Sequence, residues 1–399
     1  DGVTDDTAAF QLAIDALAAG EIGSLYLPDG QYMLSAAITA NQSIMTGWHI
    51  YGQSRARTII TQTADNTPIF EFTMDQMHTH LFEHFTANWE NDQTGNNSSA
   101  VFKWIPFAVP LGDFPIRSFY NNSIRDIFVG NCCWFLTYGS AVVNGVLRNS
   151  LFWGNSVRDI FCATKGGFVN LIGDAGQPHC TFDNIYINGG AAGQVLFQVD
   201  ALYGMYNVEV NNSSAGMLRD QAGGMHIILH WELEGANYTT NTQLWVAENG
   251  RLYAPGEMYA VTLTIAAGIR VRAFSALGVS TMQVSRFFYE VSSPGAASEF
   301  YVFNGTPTIP ATFEYVEGAQ SAKGATIIQA LTDVVNTESA DYIIVRSWND
   351  PHRLAIPGDA SVTLTAQGAK RAIFGVALTA KRTVTLPFAF ASPTGCNLF

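Results

Sequence analysis

Charge is what this sequence has least of. Only 13% of its 399 residues are Asp, Glu, Lys or Arg, about half the share of an ordinary soluble protein. The 20 Lys and Arg are outnumbered by 33 Asp and Glu. A formal net charge of −13 argues against nucleic acid or an anionic membrane as partner, because both are held by basic patches. No apolar run reaches the roughly 18–20 residues of a membrane span, so no membrane insertion is expected, and no signal peptide is visible. P-loop, dinucleotide-binding and G-x-S-x-G motifs are missing. Cysteine is scarce: Cys132, Cys133, Cys162, Cys180 and Cys396 make an odd count with no CxxC, which predicts buried free thiols rather than a disulfide framework.

What is present is apolar residues (48%) and 36 glycines, with Asn, Thr, Ser and Gln supplying polarity. That profile excludes disorder and fits a β-rich chain with many tight turns.

The chain opens with DGVTDDTAAFQLAID, and Phe10, Ile14 and, just beyond it, Leu17 fall on one face of a helix. Asp5 or Asp6 can cap it, and Gly20 stops it. SLYLPDGQYML (24–34) reads as strand, turn and strand about Pro28-Asp29-Gly30, and HIYGQSRARTIIT (49–61) as two short strands about a glycine bend. One short amphipathic helix followed only by strands needs an apolar surface, which the open end of a stacked β-structure would supply. These segments together resemble the N-terminal signature of the pectate-lyase-like parallel β-helix superfamily, and in particular bacteriophage tailspikes that depolymerise bacterial capsules or O-antigens. The resemblance covers about the first 62 residues and is specific for fold more than for chemistry. It implies a right-handed, single-stranded parallel β-helix with an N-terminal capping helix, and a chain that begins inside a longer protein.

A β-helix should repeat with each turn. DIFVGN (126–131), SLFWGN (150–155), NIYING (184–189) and NVEVNN (207–212) align without gaps, and ELEGAN (232–237) follows more loosely. FTANWEN around Phe85 reads as an earlier rung. Aliphatic second and fourth positions of each rung must stack inward, because side chains alternate along a strand. The third positions then form an outward column of Phe128, Phe152, Tyr186, Glu209 and Glu234. Asp126, Ser150, Asn184, Asn207 and Glu232 form a second column beside it.

The carboxylates of these columns carry the chemistry. Glycoside hydrolysis needs two carboxyls, ~5–5.5 Å apart for retention and ~6.5–9.5 Å for inversion. Glu209 with Glu234 suits the shorter spacing, and either of them with Glu232 the longer. Phe128, Phe152, Tyr186, Asn184 and Asn207, with His226 and His230 just before the last rung, are the expected sugar-binding residues. Covering of the aromatics by a loop or a second subunit is the alternative. Asp200 and Asp220 are weaker candidates at the same rung edge. His78, His80 and His84 with Glu83 match no metal-ligand spacing and predict structural roles, so no metal and no cofactor are expected. A β-eliminating lyase on the same scaffold would instead recruit Lys165, Arg158 and Tyr186. A non-catalytic adhesin would use the groove for binding alone.

From about residue 255 the rung register is harder to follow, although apolar strands persist. The expected organisation is a capping helix over 1–23, a parallel β-helix over 24–345 and a β-rich C-terminal region over 346–399. The tailspike resemblance implies a homotrimer in the virion, acting as a hydrolase on a bacterial surface polysaccharide.

Overall fold

A computed structural model describes residues 2–94, 98–106, 117–138, 141–143, 146–148, 150–171, 180–199, 203–220, 225–295, 298–305, 311–320 and 343–349, with four further short strands between 354 and 385. The chain forms a parallel β-solenoid with one helix at its N-terminus. Its strands stack into a 17-stranded and a 12-stranded sheet. Among the described residues, the Ala141–Val143 and Val146–Arg148 pair is antiparallel, and every other pairing of strands is parallel.

The helix spans Thr7–Ala18 and buries Phe10, Ile14 and Leu17, against the Ser24–Leu27 and Ile38–Thr46 strands. These three side chains belong to the same continuous core as Ile127, Ile160, Ile185, Val208 and Leu233. The helix is therefore the apolar end-plate of the stack. The two acidic residues at its start divide the work. Asp5 accepts the Thr7 N–H and the hydroxyls of Thr7 and Ser35. Those bonds, Ser35 first, hold its carboxyl down to about 2. Asp6 turns the other way and accepts the Met33 N–H at 3.1 Å, tying the cap to the Gly30–Leu34 strand.

The long strands of the larger sheet are not straight. Leu81–Trp89, Ser123–Cys132, Ser156–Thr164 and Cys180–Gly189 each bend at a left-handed residue in the same register position: His84 (φ 64°), Asp126 (52°), Asp159 (56°) and Asn184 (54°). Asn and Asp tolerate this backbone better than other non-glycine residues. The sheet is thus folded along a column into two faces. Past the bend, register runs Thr86, Phe128, Phe161, Tyr186, Glu209, Glu232, Tyr259, Phe288 and Glu317 on successive rungs. The Ile343–Asn349 strand pairs with Ala311–Gln320 and continues the same sheet.

Two readings of the repeat change here. Ser150–Trp153 is not a rung of this face. It lies parallel to Arg117–Tyr120 in the smaller sheet, and the rung belongs to Ser156–Thr164 instead. SLFW and DIFC share the same polar–aliphatic–aromatic–apolar alternation, which both sheets use. Only the acidic residue at the bend separates them. Phe152, whose side chain lies outside the described residues, therefore drops out of the outward column and Phe161 replaces it. The last rung also slips by two: Glu209 pairs Glu232, and Asn211 pairs Glu234. A two-residue slip leaves every side chain on its own face, so alternation alone does not detect it.

Inside the stack a polar ladder runs through the apolar core. His80, Asn122 and Asn155 immediately precede three successive strands and are all about 2% exposed. Asn122 Oδ1 accepts the His80 N–H, and Asn155 Oδ1 accepts both the N–H and the amide of Asn122, each at 2.9 Å. The Asn122 and Asn155 amides also donate to the carbonyls of Met77 and Phe119, and His80 Nδ1 accepts the Trp48 N–H. The ladder satisfies the turn backbone where water is excluded. Burial pushes the His80 imidazole down to about 4.

Asn155→Leu keeps the shape but strands the Asn122 donors and the Phe119 carbonyl. The expected loss is about 3 kcal/mol at ~1–3 kcal/mol per unsatisfied buried group, read from denaturant unfolding. His80 is neutral in the fold and protonated when unfolded between its ordinary value near 6.5 and about 4. Stability should therefore fall as pH drops through that window, by up to about 3 kcal/mol. His80→Asn, which cannot titrate, should flatten the fall, and an unchanged slope would locate the acid sensitivity elsewhere.

Candidate functional site

The fold along the bend column makes a concave corner, and a groove of about 520 Å³ lies in it. Two outer columns meet there. On the first face Glu83, Arg125 and Arg158 stack on successive rungs. At the bend itself stand His84, Asp126, Asp159 and Asn184. The conformation that folds the sheet therefore also sets two carboxylates on adjacent rungs, ~4.8 Å apart at the backbone.

These two aspartates have different partners. Asp126 is held by Arg55 Nη1 at 2.9 Å and by His84 Nδ1 at 2.6 Å. Asp159 accepts the neutral amide of Asn184 at 2.7 Å. Beneath them Glu83, 5% exposed, receives Arg125 and His49 Nε2, with His84 Nε2 at 3.3 Å. Burial pushes the Glu83 carboxyl up, but the hydrogen bonds from Arg125 and His49 outweigh it, and the net shift is downward. Arg158 is exposed at the groove and has no ion-pair partner among the described residues. Tyr186 and Phe161 form the opposite wall.

The aromatics stack on each other. Phe128 and Phe161 are 4.8 Å apart at 6°, and Phe161 and Tyr186 are 4.5 Å apart at 12°. At this spacing, matched to the rung, the ring planes lie across the solenoid axis and their faces cover one another. The column presents ring edges outward, so it is a stabilising ladder more than a row of flat sugar platforms. Asn184 is likewise spent in a ladder, bonding Asp159 and, at 3.5 Å, Asn207.

The glutamates stand further down. Glu209 and Glu232 are direct neighbours in the outer column. Glu209 accepts the Asn211 amide at 2.8 Å, and Glu232 lies 4.0 Å from His230. Glu234 is exposed one column over. The groove lining ends at Tyr186 and reaches none of the three. On the next rungs Glu257 accepts Tyr259 Oη and Arg286 Nη1, and the bond to Glu257 pushes the Tyr259 phenol up to about 12. His226 is fully buried against Asp220, 3.6 Å away, so it faces the interior and touches no molecule outside. Asp220 is buried with it, and Asp200 lies outside the described residues. Lys165 bonds Asp92 and stands apart from the Arg158–Tyr186 groove. The four described cysteines are free and buried, with Cys132 and Cys162 sulfurs 3.6 Å apart.

Sequence reasoning therefore missed Asp159, Arg55 and Arg125, and assigned His84 a structural role alone. The available signal was the triplet Asp-Ile-Phe at 126–128 and 159–161, echoed by Asn-Ile-Tyr at 184–186.

The family described as rhamnogalacturonase A/epimerase, pectate lyase-like, matches residues 1–103, which include Arg55 and His84 but neither aspartate. Mannuronan C5-epimerases AlgE2 and AlgE1 of Azotobacter vinelandii are 43% identical over 63 residues, 15% of this chain. That stretch spans only 6% and 4% of their lengths. Among solved structures, the AlgE4 A-module of the same organism covers 82% of this chain and 96% of its own, with TM-score 0.45 and 13% identity. A Geobacillus virus E2 protein, ORF18, covers 88% and 57%, with TM-score 0.35 and 15% identity. Among the described residues no helix is long and apolar enough to cross a membrane.

Glu83→Gln removes the charge that Arg125 and His49 share and should cost about 2 kcal/mol. Because the folded carboxyl sits below its ordinary value, its contribution is present above that value and is lost as pH falls through the lowered one. The wild type should therefore lose more stability than the variant in this acid range, as measured by thermal unfolding.

Proposed function

We propose that the corner groove is the active site of an enzyme that cleaves an anionic polysaccharide, with Asp126 and Asp159 as its paired carboxylates. The observation that carries this reading is the placement of two aspartates on adjacent rungs of one groove with unlike partners. We take the pair as a retaining one, which needs carboxyls ~5–5.5 Å apart rather than the ~6.5–9.5 Å of inverting enzymes, carried on backbones one rung apart. Asp159, bonded on one oxygen to a neutral amide, is assigned the acid that protonates the glycosidic oxygen. Asp126, fixed by Arg55 and His84, is assigned the nucleophile at the anomeric carbon. Water then releases the sugar, with Asp159 taking its proton.

The charge of the substrate follows from the arginines. In a chain with only 20 Lys and Arg against 33 acids, Arg55, Arg125 and Arg158 line one groove. Arg158, without an ion-pair partner among the described residues, is the group offered to an acidic sugar. The same arginine supports a second reading, β-elimination, in which it neutralises a uronate carboxylate, Tyr186 takes the neighbouring proton, and the β C–O bond breaks as the double bond forms, with water protonating the departing sugar oxygen. The Glu209–Glu232 pair, with Glu234 beside it, is the rival carboxylate set. It lies outside the groove and, together with Asn207 and His230, is assigned to contacts with flanking sugars. From the resemblance of the first 62 residues we further propose a tailspike-like homotrimer in a virion, acting on bacterial surface polysaccharide. The matching family and relatives are named for polysaccharide-modifying activities, which supports the substrate class.

The test is a panel of bacterial capsular polysaccharides, with product masses measured. Hydrolysis adds water to each product and elimination does not. Asp126→Asn and Asp159→Asn should each lower turnover by about 100-fold or more, while Glu209→Gln and Glu232→Gln stay within about tenfold. The reverse pattern moves the chemistry three rungs down, and unsaturated products would give the case to elimination. Sedimentation should give the mass of three chains; a monomer would remove the trimer.

A further inference from the structure

A second groove, of about 450 Å³, borders the far edge of the same face and the same rungs. It takes Asn131 from the Asp126 rung, Ala163 and Lys165 from the Asp159 rung, Asn188 and Gly189 from the Asn184 rung, and Asn212 from the next. Its chemistry differs from that of the first. Lys165, its one charged residue, is neutralised by Asp92 at 3.0 Å, and three amides supply the rest. Asn212 donates to Asn188 Oδ1 at 3.0 Å, which leaves the Asn188 N–H donors without a partner among the described residues. Asn131 donates to the Trp89 carbonyl, and its side-chain Oδ1 is likewise unpartnered among the described residues. A Cβ on Gly189 would meet the Thr164 oxygen at 2.2 Å, so glycine lets the chain turn close against the neighbouring rung.

Between the grooves the surface is low. Two positions beyond the aromatic ladder the outward residues are Gly130 and Ala163, which present almost no side chain. From Asp159 to Ala163 is four strand residues, ~13 Å, the reach of a short oligosaccharide. We infer that the amide groove binds uncharged, hydroxyl-rich sugars of the same polysaccharide. The chain then crosses the face from the arginine corner over the edges of Phe161 and Tyr186, rather than following the solenoid axis. Amides that offer a donor and an acceptor side by side suit vicinal hydroxyls, and a neutral groove gives no charge to an acid. The substrate would then be a heteropolysaccharide whose repeat joins an acidic sugar to neutral ones. This inference rests on the proposed function for its substrate, but the site has its own test.

Cellotetraose, maltotetraose and chitotetraose serve as neutral probes and tetragalacturonate as the acidic one, with affinities measured by titration and contacts by saturation-transfer NMR. At least one neutral probe should bind the wild type. Ala163→Trp, which fills the saddle, and Asn188→Ala, which removes only a side chain, should each weaken it by about tenfold or more. Arg158→Ala should leave neutral binding unchanged and weaken tetragalacturonate. Absence of neutral binding, or neutral binding indifferent to both groove variants, overturns the inference. Neutral binding with no cleavage of any capsule would remove the proposed function and leave this site; cleavage without neutral binding would do the opposite.

Discussion

The left-handed bend is the constraint on which the rest of the molecule depends. A parallel sheet must close around its core, and four successive rungs here turn the corner at His84, Asp126, Asp159 and Asn184, with one left-handed residue each rather than a loop. Left-handed backbone is costly for most side chains and mild for Asn and Asp, so the bend column collects carboxylates and amides. Stacking at ~4.8 Å then brings them into mutual contact. Asp126 and Asp159 are together because two successive rungs make this bend with a short acidic residue. The groove they line is the concave side of the same bend. Architecture and chemistry share one cause.

Close stacking imposes matched demands on every other column. Phe128, Phe161 and Tyr186 lie ring on ring because a repeat of one rung is near the distance at which aromatic faces meet. His80, Asn122 and Asn155 do the corresponding thing inside, each amide serving the turn above it and the next member of the ladder. Gly52 shows the tightness of the stack: a Cβ there would lie 2.1 Å from the His84 oxygen and 2.8 Å from Thr58 Cβ. In each case a residue type that looks functional in a single rung is first a solution to being stacked. The groove residues stand out because their partners are unlike: Asp126 is bound by a guanidinium and an imidazole, Asp159 by an amide, and Arg158 by no ion pair among the described residues.

Fold and facing were legible because inward positions obey a rule that stacking cannot relax. Ile127, Ile185, Val208 and Leu233 are all buried, and the helix face of Phe10, Ile14 and Leu17 closes their column as its spacing predicts. Register was less legible, for a physical reason. Period-two alternation is blind to a shift of two, which moved Glu234 out of the Glu209 column, and blind to which sheet a strand joins, which put Ser150–Trp153 in place of Ser156–Thr164. The corner groove was the least legible part. It draws Arg55 from a loop, Glu83 and Arg125 from one face, and Asp126 from the bend, and no linear motif records that convergence.

The two grooves give the face a polarity that bears on how a polymer would be handled. One edge gathers arginines, a histidine and carboxylates; the other has amides, glycines and a lysine already matched to an aspartate. A polymer of identical acidic units would meet the amide edge with no cation free to balance it, whereas an alternating one would find a partner at both. The aromatic ladder between them offers ring edges, which contact the apolar side of a sugar without binding it as firmly as an exposed ring face. Such a ridge lets a chain cross while recognition is concentrated at the two edges. On this geometry the length and register of the repeating unit, more than the identity of any single sugar, decide whether a glycosidic bond falls beside Asp126 and Asp159.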